Sequence, residues 1–444
     1  MNTPGSSAVL RCSESQCLAG YPINERIYSC RECGGLLDVH YDFSLLPAAS
    51  ELKSIFLNRR VSPRNEDQSG VWRYRELLPF VADEKRIVSL REGATPIYSA
   101  SRAADYCRLD LIHLKHQGMN PTGSFKDNGM TTGVTQACVL GATAVACAST
   151  GNTSASMAAY AARANLRAYV LIPAGQVAYG KLSQALEYGA TVVEIEGSFD
   201  DAMRIVREIA LETDLYLLNS INPFRLEGQK TIVVEMMEQL EWRVPDWIVL
   251  PGGNLGNTAA FGKALDELLR AGLIDRTPRL AVIQAEGASP FYSLFKSTDR
   301  SRLVPNPNAS TLATAIRIGN PVSWKKALRS LDLSNGVVER VSEEEIADAK
   351  AVIGLDGIGC EPASAATVAG VKRLAASGVI RAGDSVVCVL TGNLMKDPNY
   401  TVGYHTGTLK LDDATETNPI PGRFSNRPVR VSADHQAIRT KLRL

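Results

Sequence analysis

The 444 residues, 45% of them hydrophobic, suffice for two or three packed domains with sizeable cores, which excludes a disordered scaffold. With 48 Lys and Arg against 47 Asp and Glu the formal charge is +1, so no overall field gathers nucleic acid or anionic lipid and an anionic ligand has to be caught locally. No apolar run approaches the roughly 18–20 residues that cross a bilayer, and Met1–Ala8 is short and polar, so a cytoplasmic protein without nucleic-acid or membrane partners is expected.

The first predicted element, residues 1–40, is a cysteine segment. Cys12 and Cys17, then Cys30 and Cys33 followed by Gly34-Gly35, have the pairing of a zinc ribbon, whose four thiolates close a tetrahedral shell. A structural zinc is the expected occupant, and four free or partly oxidised cysteines in a small hairpin are the alternative. The other five of the nine cysteines, Cys107, Cys138, Cys147, Cys360 and Cys388, are scattered and read as reduced core residues.

Residues 41–137 begin as an arm of short helical patterns and charged connectors. From about Leu111 onward, short branched runs alternate with helix-length segments, as in a parallel sheet covered by helices, an α/β architecture. The expected strands are Ala144–Ala148, Arg167–Ile172, Thr191–Ile195, Tyr216–Leu218, Trp247–Leu250, Leu280–Gln284 and Ser385–Leu390. The expected helices are Ser154–Asn165, Ala178–Tyr188, Phe199–Glu212, Leu226–Leu240, Thr258–Ala271 and Pro362–Ala376. This pattern predicts a small lobe over 138–215 and a large lobe from 41–137 and 216–411, with a polar extension over 412–444.

Ligands of such sheets bind beyond the carboxyl ends of the strands, and four loops there are chemically unusual. In Asn120-Pro121-Thr122-Gly123-Ser124-Phe125-Lys126-Asp127 a tight turn delivers Lys126 to a helix start, where the dipole favours the neutral amine that a nucleophile or Schiff base needs. Ser149-Thr150-Gly151-Asn152-Thr153-Ser154 offers amides, hydroxyls and a carboxamide able to hold a carboxylate or a phenolic oxygen. Taken alone it is equally a capped helix start. Pro251-Gly252-Gly253-Asn254-Leu255-Gly256-Asn257-Thr258 reads as a phosphate cradle without the order of a dinucleotide or triphosphate loop, which suits a cofactor monophosphate. Leu390-Thr391-Gly392-Asn393 can aim a hydroxyl at a pyridine nitrogen and leave it essentially neutral. Together the four supply an amine, a phosphate nest and partners for a ring oxygen and a ring nitrogen, the requirements of pyridoxal 5'-phosphate.

The segments NPTGSFKD (120–127), STGNTS (149–154), GGNLGN (252–257), AIRIGNPVSW (315–324) and LTGN (390–393) closely resemble the threonine synthases of the pyridoxal-phosphate fold type II group, which also holds the tryptophan synthase β-like enzymes. The resemblance runs from the cysteine segment to about residue 400. It implies a two-domain fold type II body in which Lys126 carries the cofactor and acts as the catalytic base. Asn152 would meet the ring oxygen, Gly252, Gly253, Asn254, Leu255 and Gly256 the phosphate, and Thr391 the ring nitrogen. Ser149, Thr150, Gly151 and Asn152 would hold the substrate carboxylate, and Asn219, Ser220, Arg225 and, less directly, Lys115 the substrate phosphate. Many members read FKDR where this chain has Asn128, which removes a cation beside the lysine helix.

The implied activity is conversion of O-phospho-L-homoserine and water to L-threonine and phosphate, in a homodimer. His40, His113, His116, His405 and His435 all fall outside the four loops, which is consistent with the departing phosphate serving as acid or base for the water step. The competing readings are a serine or threonine dehydratase of the same fold, which needs no substrate-phosphate site, and a metal-stabilised interaction protein without catalysis.

Overall fold

Three sheets organise the chain, and their strand order decides which loops meet. The computed structural model describes residues 8–174, 179–197, 199–411 and 419–443. The polar N-terminus expected at Met1–Ala8 lies outside the described residues except for Ala8. So do Ala178, the first residue of one expected helix, and 412–418 at the head of the expected C-terminal extension.

The cysteine segment forms a three-stranded antiparallel sheet with Ala8–Cys12 between Gly20–Pro22 and Leu37–Tyr41. Leu37, Val39 and Tyr41 alternate inward along their strand, as period-two patterning requires, and pack with Leu10 against Val71, Trp72, Phe80 and Phe224.

Ala144–Ala148 and Arg167–Pro173 are the inner strands of a four-stranded parallel sheet flanked by Thr191–Ile195 and Leu215–Leu217. The largest sheet has six strands in the order Val337–Val341, Arg279–Ala285, Trp247–Pro251, Val386–Leu390, Ile112–His116 and Ile97–Ser99, parallel except for the last. Separate apolar clusters cover its two faces, one around Val249, Ile283 and Val386 and the other around Ile248, Leu250 and Val387. Strands sandwiched in this way are apolar throughout, and Trp247–Pro251 and Val386–Leu390 are buried at every position. The expected α/β architecture with a small N-terminal cysteine ribbon is the one observed. Among the described residues no helix is long and apolar enough to cross a membrane.

Ile112–His116, Ile97–Ser99 and Val337–Val341 are strands that the sequence reading omits, as it omits the helices Trp324–Leu333 and Glu343–Leu355. Ile112–His116 escapes because two histidines and a lysine break its apolar run, although it lies inside the large sheet.

Three neighbouring parallel strands, Trp247–Pro251, Val386–Leu390 and Ile112–His116, therefore release the glycine loop, the Thr391 loop and the lysine loop at one edge. Helix Lys126–Val139 lies against Pro223–Gln239, which is buried at every position except Gln239. Their contact has no room for side chains at the crossing. A Cβ on Gly228 would sit 1.7 Å from the Asn128 carbonyl oxygen, and one on Gly129 would sit 2.8 Å from that of Arg225. That approach sets Arg225 beside the lysine helix.

Candidate active site

The strand-end loops surround a cleft of about 1860 Å³ lined by Lys126, Ser149–Thr153, Asn219, Ser220, Arg225, Gly253–Asn257, Glu361 and Thr391, among others. The lysine loop turns at Gly123, which takes a φ of +81° that favours glycine. It is stitched to the Thr391 loop by Phe125 N donating to Thr391 O (2.9 Å) and Asn393 N donating to Gly123 O (2.9 Å). Lys126 opens the helix Lys126–Val139 and faces the cleft, with its Nζ 4.1 Å from the Phe125 ring centroid. Burial, followed by the charge of Arg225, lowers its amine to about 7, while Glu361 pulls the other way. A substantial neutral fraction is therefore present at neutral pH, as a nucleophilic amine requires.

Asp127 anchors the same turn. Its carboxylate accepts from Thr122 N (2.7 Å), Thr122 Oγ1 (2.6 Å) and Ser156 Oγ (2.5 Å), joining the lysine loop to helix Asn152–Arg163. Asn128 is fully buried and accepts from Asn120 Nδ2 at 3.2 Å.

Gly253, Asn254, Leu255 and Gly256 face the cleft, whereas Gly252 does not and is glycine for packing: a Cβ there would lie 2.7 Å from Val282 Cγ1. Leu255 adopts a φ of 63°, a left-handed conformation unusual for a branched apolar residue, immediately before helix Gly256–Arg270. That turn is how a chain folds its amides into an anion nest at a helix start. Asn254 ties the nest to its surroundings, with Oδ1 accepting from Val322 N (3.0 Å) and Nδ2 reaching Ser220 Oγ (3.4 Å). Asn257 Nδ2 and Oδ1, Thr258 Oγ1, Gln229 Oε1 and Arg225 Nε are all buried without a hydrogen-bond partner among the described residues. Such atoms are costly in a native fold unless a ligand satisfies them. A phosphate-bearing ligand fits the donors among them that belong to cleft-lining residues, Asn257 Nδ2 and Arg225 Nε, whereas Asn257 Oδ1 and Gln229 Oε1 are acceptors.

Arg225 is 2% exposed and donates Nη1 to Leu218 O (3.1 Å), yet no carboxylate pairs with it among the described residues. Burial lowers it to about 10, so it remains a cation at neutral pH. Asn219 lies beside it, and its amide bonds both backbone groups of Ala148, at 3.1 Å each. These bonds fix the amide at the end of strand Ala144–Ala148 and leave the second N–H of Nδ2 for the cleft that Asn219 lines.

Lys115 is a correction to the sequence reading. It is fully buried, does not line the cleft and donates to Glu235 Oε1 (2.8 Å), Gln239 Oε1 (2.8 Å) and Thr95 O (2.7 Å). Its strand points it into the protein, so it holds structure and not substrate.

Glu361 is the site residue that the sequence reading missed. It lies 2.9 Å from Thr391 Oγ1 through Oε1, and Oε2 accepts from Asn152 Nδ2 at 3.0 Å. The signal was hidden by its neighbour, because Glu361-Pro362 reads as an ordinary helix start and Glu361 is indeed the N-cap of Pro362–Ala376.

The sulfur atoms of Cys12, Cys17, Cys30 and Cys33 all lie within 4.8 Å of one another, with Cys12 and Cys33 3.4 Å apart and Cys17 and Cys30 3.6 Å apart. Tetrahedral zinc with bonds of ~2.3 Å places its sulfurs about 3.8 Å apart, so the set suits a closed structural site.

Residues 88–392 match the family model described as pyridoxal-phosphate dependent enzyme. The threonine synthase of Methanocaldococcus jannaschii is 46% identical over 398 residues, covering 89% of this chain and 95% of that protein. The threonine synthase of Methanosarcina acetivorans is 48% identical over 395 residues, covering 88% and 93%. The chloroplastic threonine synthase 2 of Arabidopsis thaliana is 38% identical over 424 residues, covering 93% and 80%. Among solved structures, a threonine deaminase isoform of Solanum lycopersicum superposes with a TM-score of 0.59 at 18% identity, covering 78% of this chain and 85% of its own, a likeness of fold alone.

Proposed function

This chain belongs to the pyridoxal-phosphate-dependent enzymes and within them to the threonine synthases, and we propose that Lys126, Arg225 and the loops between them carry its reaction. That reaction converts O-phospho-L-homoserine and water to L-threonine and phosphate. The observation that carries the reading is Arg225, a buried cation with no carboxylate partner among the described residues, lining the same cleft as an amine lowered to about 7. A buried unpaired charge is expensive, and an anionic substrate compensates it. A dehydratase acting on serine or threonine brings no second phosphate and leaves that charge unmatched.

Bound in the cleft, pyridoxal phosphate supplies an electron sink for the substrate's α-carbon. Lys126 would hold it, the amides of Gly253–Gly256 with Asn257 would take its phosphate, and Asn152 and Thr391 would face its ring. The start of helix Asn152–Arg163, with Ser149 and Thr150, would grip the substrate carboxylate. Arg225, Ser220 and the second amide N–H of Asn219 would grip the substrate phosphate. Lys126, as a neutral amine beside the α-carbon, takes its proton. Over the whole reaction Cβ loses one proton and gains the hydroxyl of water, while the Cγ–O bond to phosphate breaks and Cγ gains a proton. Phosphate released next to Arg225 is positioned to serve as the acid or base for that last step.

We further propose that 138–215 moves as a small lobe against 41–137 and 216–411 to keep water out until it is needed, with 1–40 and 412–444 as the ribbon and the extension. The working form is a cytoplasmic homodimer with structural zinc on the four cysteines. The test is a product assay of purified protein against O-phosphohomoserine, threonine, serine and phosphoserine, with inorganic phosphate measured alongside. Threonine and phosphate formed in equal amounts from O-phosphohomoserine, at far higher kcat/KM than any other conversion, is the expected result. Keto-acid formation from serine or threonine as the dominant activity would overturn it.

A further inference from the structure

Glu361 joins the two residues that face the cofactor ring, and it is the one acidic side chain among the four groups tied together there. One carboxyl oxygen meets Asn152 and the other Thr391, at 3.0 and 2.9 Å, and the carboxyl is 2% exposed at the floor of the cleft. Ser364 completes the chain. Its Oγ accepts from Thr391 N (2.7 Å) and Gly392 N (3.1 Å), which occupies both acceptor directions, so its single hydrogen falls on Thr391 Oγ1 at 3.0 Å. Thr391 thus has one lone pair filled and one hydrogen to place.

Two arrangements follow from that count. If Glu361 is ionised it takes the Thr391 hydrogen, and the cleft is offered only a lone pair, which suits a protonated ring nitrogen. If Glu361 keeps its proton on Oε1, that proton is donated to Thr391, the Thr391 hydrogen turns into the cleft, and an unprotonated ring nitrogen is favoured. In both cases Oε2 accepts from Asn152, which directs the amide nitrogen of Asn152 toward the carboxyl.

We propose that Glu361 is a positioning residue that keeps its proton, donates it to Thr391, and so fixes the Thr391 hydroxyl as a hydrogen-bond donor to the cofactor's ring nitrogen. This rests on the cofactor reading of the cleft and deepens it, because it names the group that decides how strongly the ring withdraws electrons.

The carboxyl is buried against an amide and a hydroxyl, and no ion pair holds it among the described residues. Burial raises the carboxyl above its ordinary value and outweighs the hydrogen bonds from Asn152 and Thr391; nearby Asp397 raises it further, Lys396 opposes. Burial pushes the neighbouring Cys360 thiol up to about 12, so it stays neutral. Steric fit holds the carboxyl in place, since a Cβ on Gly392 would lie 2.3 Å from the Glu361 carboxyl carbon. Nothing larger than glycine fits there without displacing the acid.

The experiment loads wild type, Glu361→Gln and Glu361→Leu with cofactor labelled with nitrogen-15 in the ring, and records the ring nitrogen resonance and cofactor affinity of the resting proteins. Glutamine reproduces the neutral acid by donating from its amide to Thr391 and accepting from Asn152, whereas leucine does neither. Wild type and E361Q are expected to share an unprotonated-ring resonance and to bind cofactor equally. E361L is expected to bind cofactor on the order of tenfold more weakly, the consequence of losing roughly one charge-free hydrogen bond at each end. An infrared carboxylic-acid band in wild type, lost in E361Q, is the independent readout.

A protonated ring in wild type, a ring signal that moves in E361Q, or an E361L protein that binds cofactor like wild type would overturn the proposal. If E361L fails to load while E361Q loads, the proposal stands; if both fail, an ionised carboxylate was needed and it falls. Failure of wild type to attach cofactor at Lys126 would instead sink the cofactor reading itself.

Discussion

Replacing Arg225 with methionine separates the cost of a buried charge from its use. The guanidinium is 2% exposed and has one backbone acceptor, Leu218 O at 3.1 Å, and no carboxylate among the described residues. In the ligand-free protein, removing such a charge in favour of an apolar chain of similar length is neutral to stabilising by about 1–4 kcal/mol, less about 1 kcal/mol for the lost hydrogen bond. With substrate bound the sign reverses. A buried anion deprived of its cation loses about 3–5 kcal/mol, which at 1.36 kcal/mol per tenfold is on the order of a hundred- to a few-thousand-fold in kcat/KM. The assay pairs urea unfolding with steady-state kinetics, and adds inorganic phosphate to both proteins. Phosphate should raise the unfolding midpoint of the wild type and leave R225M unmoved, because only a ligand that prefers the native state stabilises it. A variant that loses several kcal/mol of stability yet keeps its kcat/KM would refute the assignment and make Arg225 a structural residue.

Lys126, lowered to about 7 by burial and Arg225, should recapture added pyridoxal phosphate at a rate that climbs with pH through about 7 and then levels off, because only the neutral amine attacks. A rate still rising at pH 10 would mean an ordinary lysine. Lys115→Met should leave KM for the phosphorylated substrate unchanged while destabilising the fold by about 3–5 kcal/mol, since it strands Glu235 in a fully buried pair. A large rise in KM with normal stability would return Lys115 to the substrate site. Purified protein should carry one zinc per chain, lost on combined replacement of Cys30 and Cys33 by serine; metal analysis finding none in the unmutated protein, without chelators, would remove the metal from the ribbon.

The site was legible wherever local chemistry is unusual in itself. Glycines at 252, 253 and 256 after an apolar run, a lysine behind Pro121 and Gly123, and hydroxyls at 149 and 150 announce a ligand from a few residues of sequence. Buried pairing is different, because it is decided by the partner. Lys115 looks like a candidate phosphate group until Glu235, 120 residues away, is seen to hold it. Asn219 looks like a free amide, but Ala148 holds its oxygen and one of its two N–H groups and so sets where the other points. Glu361 carries no local oddity at all and gains its place only through Asn152 and Thr391. The strand Ile112–His116 shows the same limit in the fold: its polar residues are buried by neighbours that the one-dimensional pattern does not contain.

Strand Val386–Leu390 lies in the middle of the large sheet, between Trp247–Pro251 and Ile112–His116, although it is the last of the six to leave the ribosome. Until it arrives, two growing half-sheets face each other across an open slot with unpaired edges, a state prone to pairing with another chain. The same late strand brings Thr391, whose backbone clasps Phe125, so the cleft is incomplete until residues 386–393 have joined the sheet. A chain cut short before residue 386 is therefore expected to expose two unpaired strand edges and to lack the Thr391 side of the cleft.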